Sequence, residues 1–189
     1  MKVLGLPIFI MVGISMVVLS TMLSEIMIQL LNKKLRKKRK KLEEKNKRIS
    51  FGQEYWYKSI YEKEAAYNSS MIIQAGENEN LKNNFGKRPL LQMKQAIVYA
   101  YSAGTGKPPN KDFMDKLTKL GDGEKFEGLK KKEDELLEKY TTVNSKIVEK
   151  RNRLQEKIDF YTEWIDKVRY ISAGLNILGV IIIQIATAT

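Results

Sequence analysis

Two missing residue types limit the chemistry that this chain can perform. None of its 189 residues is His or Cys. An imidazole base or haem ligand, a thiolate nucleophile and a disulfide are therefore excluded, as are the usual zinc centres. Any site in the chain must be built from carboxylates, hydroxyls, amides and cations.

The segment GTGK at residues 104–107 is similar to part of a phosphate-binding loop. That loop needs another Gly five residues before the Gly of its Gly-Lys pair, and a Ser or Thr after the Lys. Tyr101 and Pro108 occupy those two positions here. The sequence therefore favours a solvent-exposed turn over a nucleotide site.

Two acidic clusters, at residues 43–44 and 133–135, are the remaining candidates for chemistry. Neither has the ligand spacing of a calcium loop or other metal site, and we expect both to lie on solvated helix faces. The sequence thus predicts a protein that is not an enzyme, with no metal site, no cofactor and no small-molecule substrate.

Two apolar segments stand out among the elements that would position these residues. Residues 3–31 and 170–188 contain one charged residue, Glu25, whereas the other 141 residues carry 55 charges. Each segment can supply the roughly 20 residues that cross a bilayer as a helix. We predict transmembrane helices in the segments 1–32 and 170–189; the alternatives are a cleaved signal peptide for the first and buried core helices for both.

The flanking charges predict the orientation of these spans. Residues 33–48 hold 11 Lys or Arg and two Glu, and six basic residues lie between 150 and 169, whereas Lys2 is the one basic residue beyond the first span and none follows the second. Because cytoplasmic loops carry the excess of Lys and Arg, we expect both termini outside and residues 33–169 in the cytoplasm. The predicted localisation is an integral membrane protein with two spans.

Apolar residues recur every seven positions in the two segments next to the spans, as they do along a coiled-coil seam. We predict a basic, then aromatic-rich arm at 33–75 and a second arm at 129–169, paired antiparallel. Lys150 and Lys157 interrupt a companion seam, and Ile158 partly compensates. The predicted seam comprises Leu35, Leu42, Ile49, Trp56, Tyr140, Ile147, Leu154, Tyr161 and Val168.

Between the arms, residues 76–128 contain seven of the 12 Gly and three of the four Pro. Such residues mark turns, and two short amphipathic helices fit between them, at 90–102 and 111–120. The predicted fold is all-α: two transmembrane helices joined by a cytoplasmic antiparallel coiled-coil hairpin with a small helical tip.

The basic run after the first span has three interpretations. Its cations could contact anionic lipid headgroups, bind RNA or the ribosome through phosphates, or set topology and solubility. The candidates for anionic-lipid or RNA contact are Lys33, Lys34, Arg36, Lys37, Lys38, Arg39, Lys40 and Lys41.

A polar stripe of Thr21, Glu25 and Gln29 lies near the cytoplasmic end of the first span. Ionisable residues within a span are functional candidates, although Glu25 could equally lie at the interface. In the second span, Asn176 and Gln184 are candidate polar partners, and residues 174 and 179 are Gly, which permits close helix approach.

The opening LSTMLSEIMIQLL followed by NKKLRKKRKKLEEKNKRI resembles the YidC/Get-type membrane insertase superfamily over residues 8–50. The resemblance implies an outside N-terminus, a cytosolic coiled-coil hairpin and a polar groove beside Glu25 that receives client segments. The chain departs from that family in having two predicted spans rather than three, and a longer segment between them.

The sequence as a whole favours a non-enzymatic membrane scaffold or accessory subunit. Its spans would dock on a larger membrane complex or self-associate, and its coiled coil would bind partners. The expected partners are membrane lipids with anionic headgroups and other membrane protein subunits. The alternatives are a YidC/Get-like insertase factor for hydrophobic client segments and a membrane tether for the ribosome or nucleic acid.

Overall fold

A computed structural model describes residues 5–76, 86–120 and 126–188 of the chain. Every secondary-structure element in those residues is a helix, so the predicted all-α class is confirmed. Residues 1–4 and 189 of the predicted spans, and residues 77–85 and 121–125 of the predicted tip, lie outside the described residues.

Five α-helices and one π-helical segment make up the described chain. The two short helices predicted at 90–102 and 111–120 are present with slightly different ends. The elements are α1 at Gly5–Met22, a π segment at Leu23–Met27, α2 at Ile28–Ala75, α3 at Arg88–Thr105, α4 at Lys111–Lys119 and α5 at Phe126–Ala188.

The short helices begin and end at residues suited to those positions. Pro89 lies in the first turn of α3, where its missing N–H leaves no hydrogen bond unmade. Gly106 ends α3 with a φ of 70°, a left-handed conformation that favours glycine, and donates its N–H to the Ser102 carbonyl. Asn110 caps α4 by accepting a hydrogen bond from the backbone N–H of Phe113 at 2.9 Å.

The chain divides into two compact units. The terminal unit comprises residues 1–43 and 152–189, and the central unit comprises residues 44–151. Both α2 and α5 contribute residues to each unit.

Within the terminal unit, α1 and the beginning of α2 run antiparallel to the end of α5. Gly13 lies against Gly179, and Ser20 lies against Ser172. Further along, Leu35 forms a buried cluster with Ile158 and Ile165, and Ile28, Leu31, Leu42 and Tyr161 pack against it.

Within the central unit, α2 and α5 also run antiparallel, and α3 and α4 pack onto them. The buried core of this unit draws residues from all four helices: Ala66, Met93, Ala96, Ile97, Leu117 and Leu129. Ring contacts extend the packing, with Tyr67 of α2 against Phe126 of α5 at 5.3 Å and Tyr101 of α3 against Phe113 of α4 at 4.0 Å between centroids.

Candidate interaction surfaces

In the terminal unit, the two apolar stretches have an apolar exterior and meet through small residues. Two helices are long and apolar enough to cross a membrane, and less than a fifth of the most apolar stretch of either is buried inside the protein. The buried residues of the described parts of these stretches are Gly13, Ser20, Ser172, Gly179 and Ala186. The exposed large residues are Ile8, Phe9, Met11, Val12, Ile14, Val18, Leu19, Met22, Ile171, Ile177, Leu178, Val180, Ile181 and Ile185.

Gly13 and Gly179 permit the closest approach between these helices. A Cβ on Gly13 would lie 2.8 Å from the Gly179 carbonyl oxygen and 2.6 Å from Cγ1 of Ile183. A Cβ on Gly179 would lie 2.7 Å from the Gly13 carbonyl oxygen. The prediction that Gly179 permits close helix approach is therefore confirmed. The same prediction is wrong for Gly174, because a Cβ there would meet nothing within 4 Å.

Ser20 and Ser172 form the buried polar contact of this helix pair. Their hydroxyl oxygens are 3.0 Å apart, and the Ser172 hydroxyl is also 2.8 Å from the Ser20 carbonyl oxygen. The residues singled out from sequence, Asn176 and Gln184, are instead exposed. Sequence reasoning missed the serine pair because hydroxyls are common in helices and carry no charge to mark them.

The polar stripe of Thr21, Glu25 and Gln29 is exposed throughout. Glu25 lies in the π segment. The π-helix is rare in proteins, and where it does occur it is often at a functional site. Within the described residues, no Lys or Arg nitrogen lies within 4.0 Å of its carboxylate. The Thr21 hydroxyl donates to the Val17 carbonyl at 3.0 Å, so its polarity is satisfied inside the helix.

The antiparallel pairing gives the level of Glu25 along the helices. Ser20 contacts Ser172 across the helix pair. Glu25 lies five residues after Ser20, and Lys167 lies five residues before Ser172. Because the helices are antiparallel, Glu25 and Lys167 are at the same level along the pair. The stretch Asp166–Arg169 of α5 contains three charged residues. Glu25 therefore lies level with the charged residues that precede Tyr170 in α5, and not level with the uncharged stretch that begins at Tyr170.

The eight candidate cations form a nearly uninterrupted basic surface, which we call the basic band: Lys33, Lys34, Arg36, Lys37, Lys38, Arg39, Lys40 and Lys41. Seven are exposed and Lys38 is half-buried, whereas Leu35 among them is buried. In the described part of the chain, none of the eight has a carboxylate oxygen within 4.0 Å. The basic band is therefore a positively charged surface that extends over consecutive turns of α2 and has no neighbouring carboxylate among the described residues to neutralise it.

None of the nine predicted seam residues is fully exposed. Leu35, Tyr140 and Val168 are buried, and the other six are half-buried. Lys150 and Lys157 are exposed, whereas Ile158 is buried beside Leu35.

Glu133 corrects the expectation that the acidic cluster lies on a solvated helix face. Its side chain is fully buried, with Oε1 2.8 Å from the Ser59 hydroxyl and Oε2 2.7 Å from Nζ of Lys63. The Ser59 hydroxyl is also 2.8 Å from the Ala96 carbonyl oxygen. This polar cluster joins α2, α3 and α5 inside the central unit.

The pKa of Lys63 reflects this environment. Partial burial acts to lower it, but hydrogen bonds to Asp134 and Glu133 outweigh that effect and raise the pKa above 10.5. Asp134 adds a second ion pair with Lys63 at 2.5 Å from the exposed side. Charged Lys63 therefore compensates the carboxylate that the fold buries.

A surface groove in the central unit is lined by aromatic side chains of α2 and α3. Its volume is about 430 Å³, and its lining residues are Tyr57, Lys58, Tyr61, Glu62 and Tyr99. Tyr57 is 65% exposed and Tyr61 is 71% exposed. Tyr57 and Tyr61 are therefore largely exposed, whereas Tyr67 packs on Phe126.

The GTGK segment lies at the end of a helix. Residues 104 and 105 close α3, and Gly106 caps its carbonyl terminus. Phosphate-binding loops instead present the amide groups of a helix beginning. The prediction of a turn is confirmed for residues 106–107, whereas residues 104–105 are helical. The carbonyl end of the helix has the wrong polarity for an anion.

Among the described residues, no group of three or more carboxylates could hold a metal ion. Comparison of the chain with protein families, curated proteins and solved structures gives no significant match.

Proposed function

We propose that the chain is an integral membrane scaffold or accessory subunit with two spans, in α1 and the end of α5. The observation that carries this proposal is the reversed distribution of side chains in the two apolar stretches of the terminal unit: large apolar residues are exposed, and Gly, Ser and Ala are buried. Lipid-embedded helices associate through small residues and shared hydroxyl hydrogen bonds, because lipid solvates large apolar side chains.

A soluble protein would place the same residues the other way round. Fully burying a Val, Leu, Ile, Phe or Met side chain is worth about 1.5–3 kcal/mol in water. Exposing the fourteen named above therefore forgoes much of the driving force for folding. Core helices of soluble proteins are mostly buried, whereas these stretches are mostly exposed. A bilayer removes the penalty without further protein contacts.

The orientation rests on the charges beside the spans. The basic band follows α1, and Lys167 and Arg169 precede the uncharged end of α5. Both flanks support an arrangement with residues 33–169 in the cytoplasm and both termini outside. In this arrangement the seam residues of α2 and α5 belong to a cytoplasmic antiparallel coiled coil, with α3 and α4 as its helical tip.

The scaffold role is supported by apolar side chains that the central unit exposes to water. Besides Tyr57 and Tyr61, these include Met71, Ile72 and Leu91, each more than 60% exposed. Aromatic residues and Met are enriched in protein interfaces, so this surface suits a protein partner. The exposed exterior of the spans suits lateral contact with another membrane subunit or a second copy.

Membrane insertion and orientation can be tested with single cysteines, because the native chain has none. Lys107→Cys should be labelled by an impermeant maleimide only after the cells are permeabilised, whereas Ala188→Cys should be labelled in intact cells. Alkaline carbonate should leave the protein in the membrane. Release by carbonate, or labelling of Lys107→Cys in intact cells, would contradict the arrangement.

The scaffold role is tested by purification in mild detergent followed by mass spectrometry. We expect one membrane assembly at fixed stoichiometry, lost on the joint change Tyr57→Ser and Tyr61→Ser. The matched control is Lys131→Ser with Lys139→Ser, which alters two exposed residues of α5 outside the groove. Equal loss in both variants, or no stable assembly with the native chain, would oppose the role.

A second candidate function is an insertase-like factor, and the exposed Glu25 in its π segment favours it. A photo-crosslinker at Glu25 should capture nascent hydrophobic segments, and one at lipid-exposed Val18 should capture fewer. Equal capture from both positions would remove the support that Glu25 gives to this function.

A further inference from the structure

We propose that the basic band binds the phosphate backbone of RNA at the cytoplasmic membrane surface. The inference rests on the membrane arrangement proposed above, and it goes beyond a topology signal, because it assigns the band a ligand.

The basic band carries many positive charges that no nearby carboxylate of the described chain neutralises. Eight Lys and Arg occur between residues 33 and 41, and no Asp or Glu occurs between 26 and 42. On the facing stretch of α5, the carboxylates Glu156 and Asp159 are offset by Arg153 and Lys157. A polyanion that meets the band releases its condensed counterions, which supplies sequence-independent affinity.

In the proposed arrangement, the basic band begins some distance from the hydrocarbon layer of the membrane. The last charged residue before the second span, Arg169, is level with Leu23, because Ser20 contacts Ser172. Lys33 is ten residues further along, or about 15 Å on a helix. The headgroup layer takes up about 5–7 Å of that distance.

Screening of charges by salt limits how far the band can interact with anionic lipid, but not with a soluble nucleic acid. The potential of an anionic leaflet decays over about 8 Å at physiological ionic strength. Lys33 lies about one such length beyond the headgroups, and Lys41, about 12 Å further on, lies more than two. Most of the band is therefore too far out to contact lipid, whereas a soluble polyanion can reach all of it.

The composition of the basic band also favours phosphate groups over a protein partner. Protein interfaces have an apolar or aromatic centre and are depleted of Lys. The band exposes no apolar side chain, since Leu35 is its one apolar residue and is buried. A surface made only of Arg and Lys suits phosphate groups, because binding a phosphate requires neither contact with a base nor an apolar side chain.

The test is RNA binding by the full chain, purified in uncharged detergent and measured by fluorescence anisotropy. Single-stranded RNA should bind at physiological ionic strength with a dissociation constant of about 1–100 µM, and DNA of equal length should bind comparably. The variant Arg36→Gln, Lys37→Gln, Arg39→Gln, Lys40→Gln should bind at least about tenfold more weakly. Its slope of log affinity against log salt should be shallower by about 3.

The matched control removes the same four charges elsewhere: Lys111→Gln, Lys131→Gln, Lys139→Gln and Lys146→Gln, all exposed. It should keep the affinity within about twofold, since these residues lie outside the band. Equal weakening in both variants would reduce the effect to net charge and overturn the proposal, and so would the absence of RNA binding by the native chain.

Proteoliposomes distinguish lipid from RNA. RNA should bind to proteoliposomes of zwitterionic lipid and should still bind when anionic lipid is included; loss of binding in the anionic vesicles would make the leaflet the ligand of the band and overturn the proposal. Carbonate extraction tests the membrane arrangement separately, because RNA binding in detergent does not require a bilayer. The two can therefore fail independently.

Discussion

At the scale of single residues, the most consequential feature is the buried carboxylate of Glu133. Taking a carboxylate out of water costs several kcal/mol unless hydrogen bonds and an opposite charge replace the solvent. Ser59 and Lys63 supply both, within 2.8 Å and 2.7 Å. Removing one partner should therefore be much worse than removing the whole cluster.

Replacing Lys63 by Met should lower the free energy of unfolding by about 3 kcal/mol, because it leaves the buried Glu133 charge with a hydroxyl as its sole side-chain partner. Urea denaturation of the full chain in mild detergent, followed by circular dichroism, measures the change. The double variant Lys63→Met, Glu133→Met should recover most of the loss. The control Lys116→Met, whose pair with Asp112 is on the surface, should leave the midpoint unchanged; an equal effect in the control would argue against the buried cluster.

The same cluster predicts a pH dependence. The pKa of Lys63 is raised above 10.5 in the folded chain, so its stabilising effect is complete below pH 10.5 and is lost as the pH rises through the folded value. The stability difference between the native chain and Lys63→Met should be constant from neutral pH to about pH 10 and shrink above it. Other groups with raised pKa, such as Lys58 and Lys130, titrate in both proteins. A difference that persists at higher pH would show that Lys63 acts through packing.

At the scale of helices, the pairing of α1 with α5 depends on two glycines that touch each other. Neither position can take a Cβ without moving the opposite backbone, because the obstructing atoms are carbonyl oxygens at 2.8 Å and 2.7 Å. Carbonyl oxygens, unlike the ends of flexible side chains, cannot move aside alone. Overpacking of this kind typically costs about 1–3 kcal/mol.

Gly179→Ala and Gly13→Ala should each weaken this pairing. Disulfide formation between Ser20→Cys and Ser172→Cys reports it directly, because the two hydroxyl oxygens are 3.0 Å apart and the native chain has no Cys. We expect crosslinking in membranes to fall about fivefold or more in either glycine variant. Gly174→Ala should crosslink like the parent, since a Cβ there meets nothing within 4 Å; if all three variants behaved alike, the close approach would not control the pairing.

Periodicity predicted the helices well and their contacts less well. Sevenfold spacing marks the face of a helix that packs, which is why every seam residue from Leu35 to Val168 is at least half-buried. It does not identify the partner of a given residue. The Gly13–Gly179 contact, the Ser20–Ser172 contact and the burial of Glu133 all depend on the register between distant segments. Glu133 lies seven residues before Tyr140, on the face that the spacing marks as packed, whereas its neighbours Asp134 and Glu135 are exposed. The spacing alone does not identify Ser59 and Lys63 as its partners.

At the scale of the whole molecule, the apolar stretches of the terminal unit and the core of the central unit bury different kinds of residue. The terminal unit buries small residues where its apolar stretches meet, whereas the central unit buries Met93, Ile97 and Leu129 completely. The second pattern is that of a water-soluble core. The central unit has an apolar core of its own, so we expect it to fold in water without the spans.

A fragment comprising residues 44–151 should be soluble without detergent, helical and cooperative in thermal unfolding. Ile97→Asp should abolish the cooperative transition, because it places an unpaired charge in the core. Ile72→Asp should not, because Ile72 is 67% exposed. Aggregation of the unsubstituted fragment would indicate that its core depends on the remainder of the chain.

The hydroxyl contact between Ser20 and Ser172 has a practical consequence for anyone purifying this protein. Neither group is ionised, so concentrated electrolyte has no charge there to screen, and the helices should stay together through a stringent wash. Ligands held by the basic band should be displaced under the same treatment, because their affinity comes from counterions. A single high-salt step should therefore yield the intact helix pair free of any nucleic acid carried over from the cell.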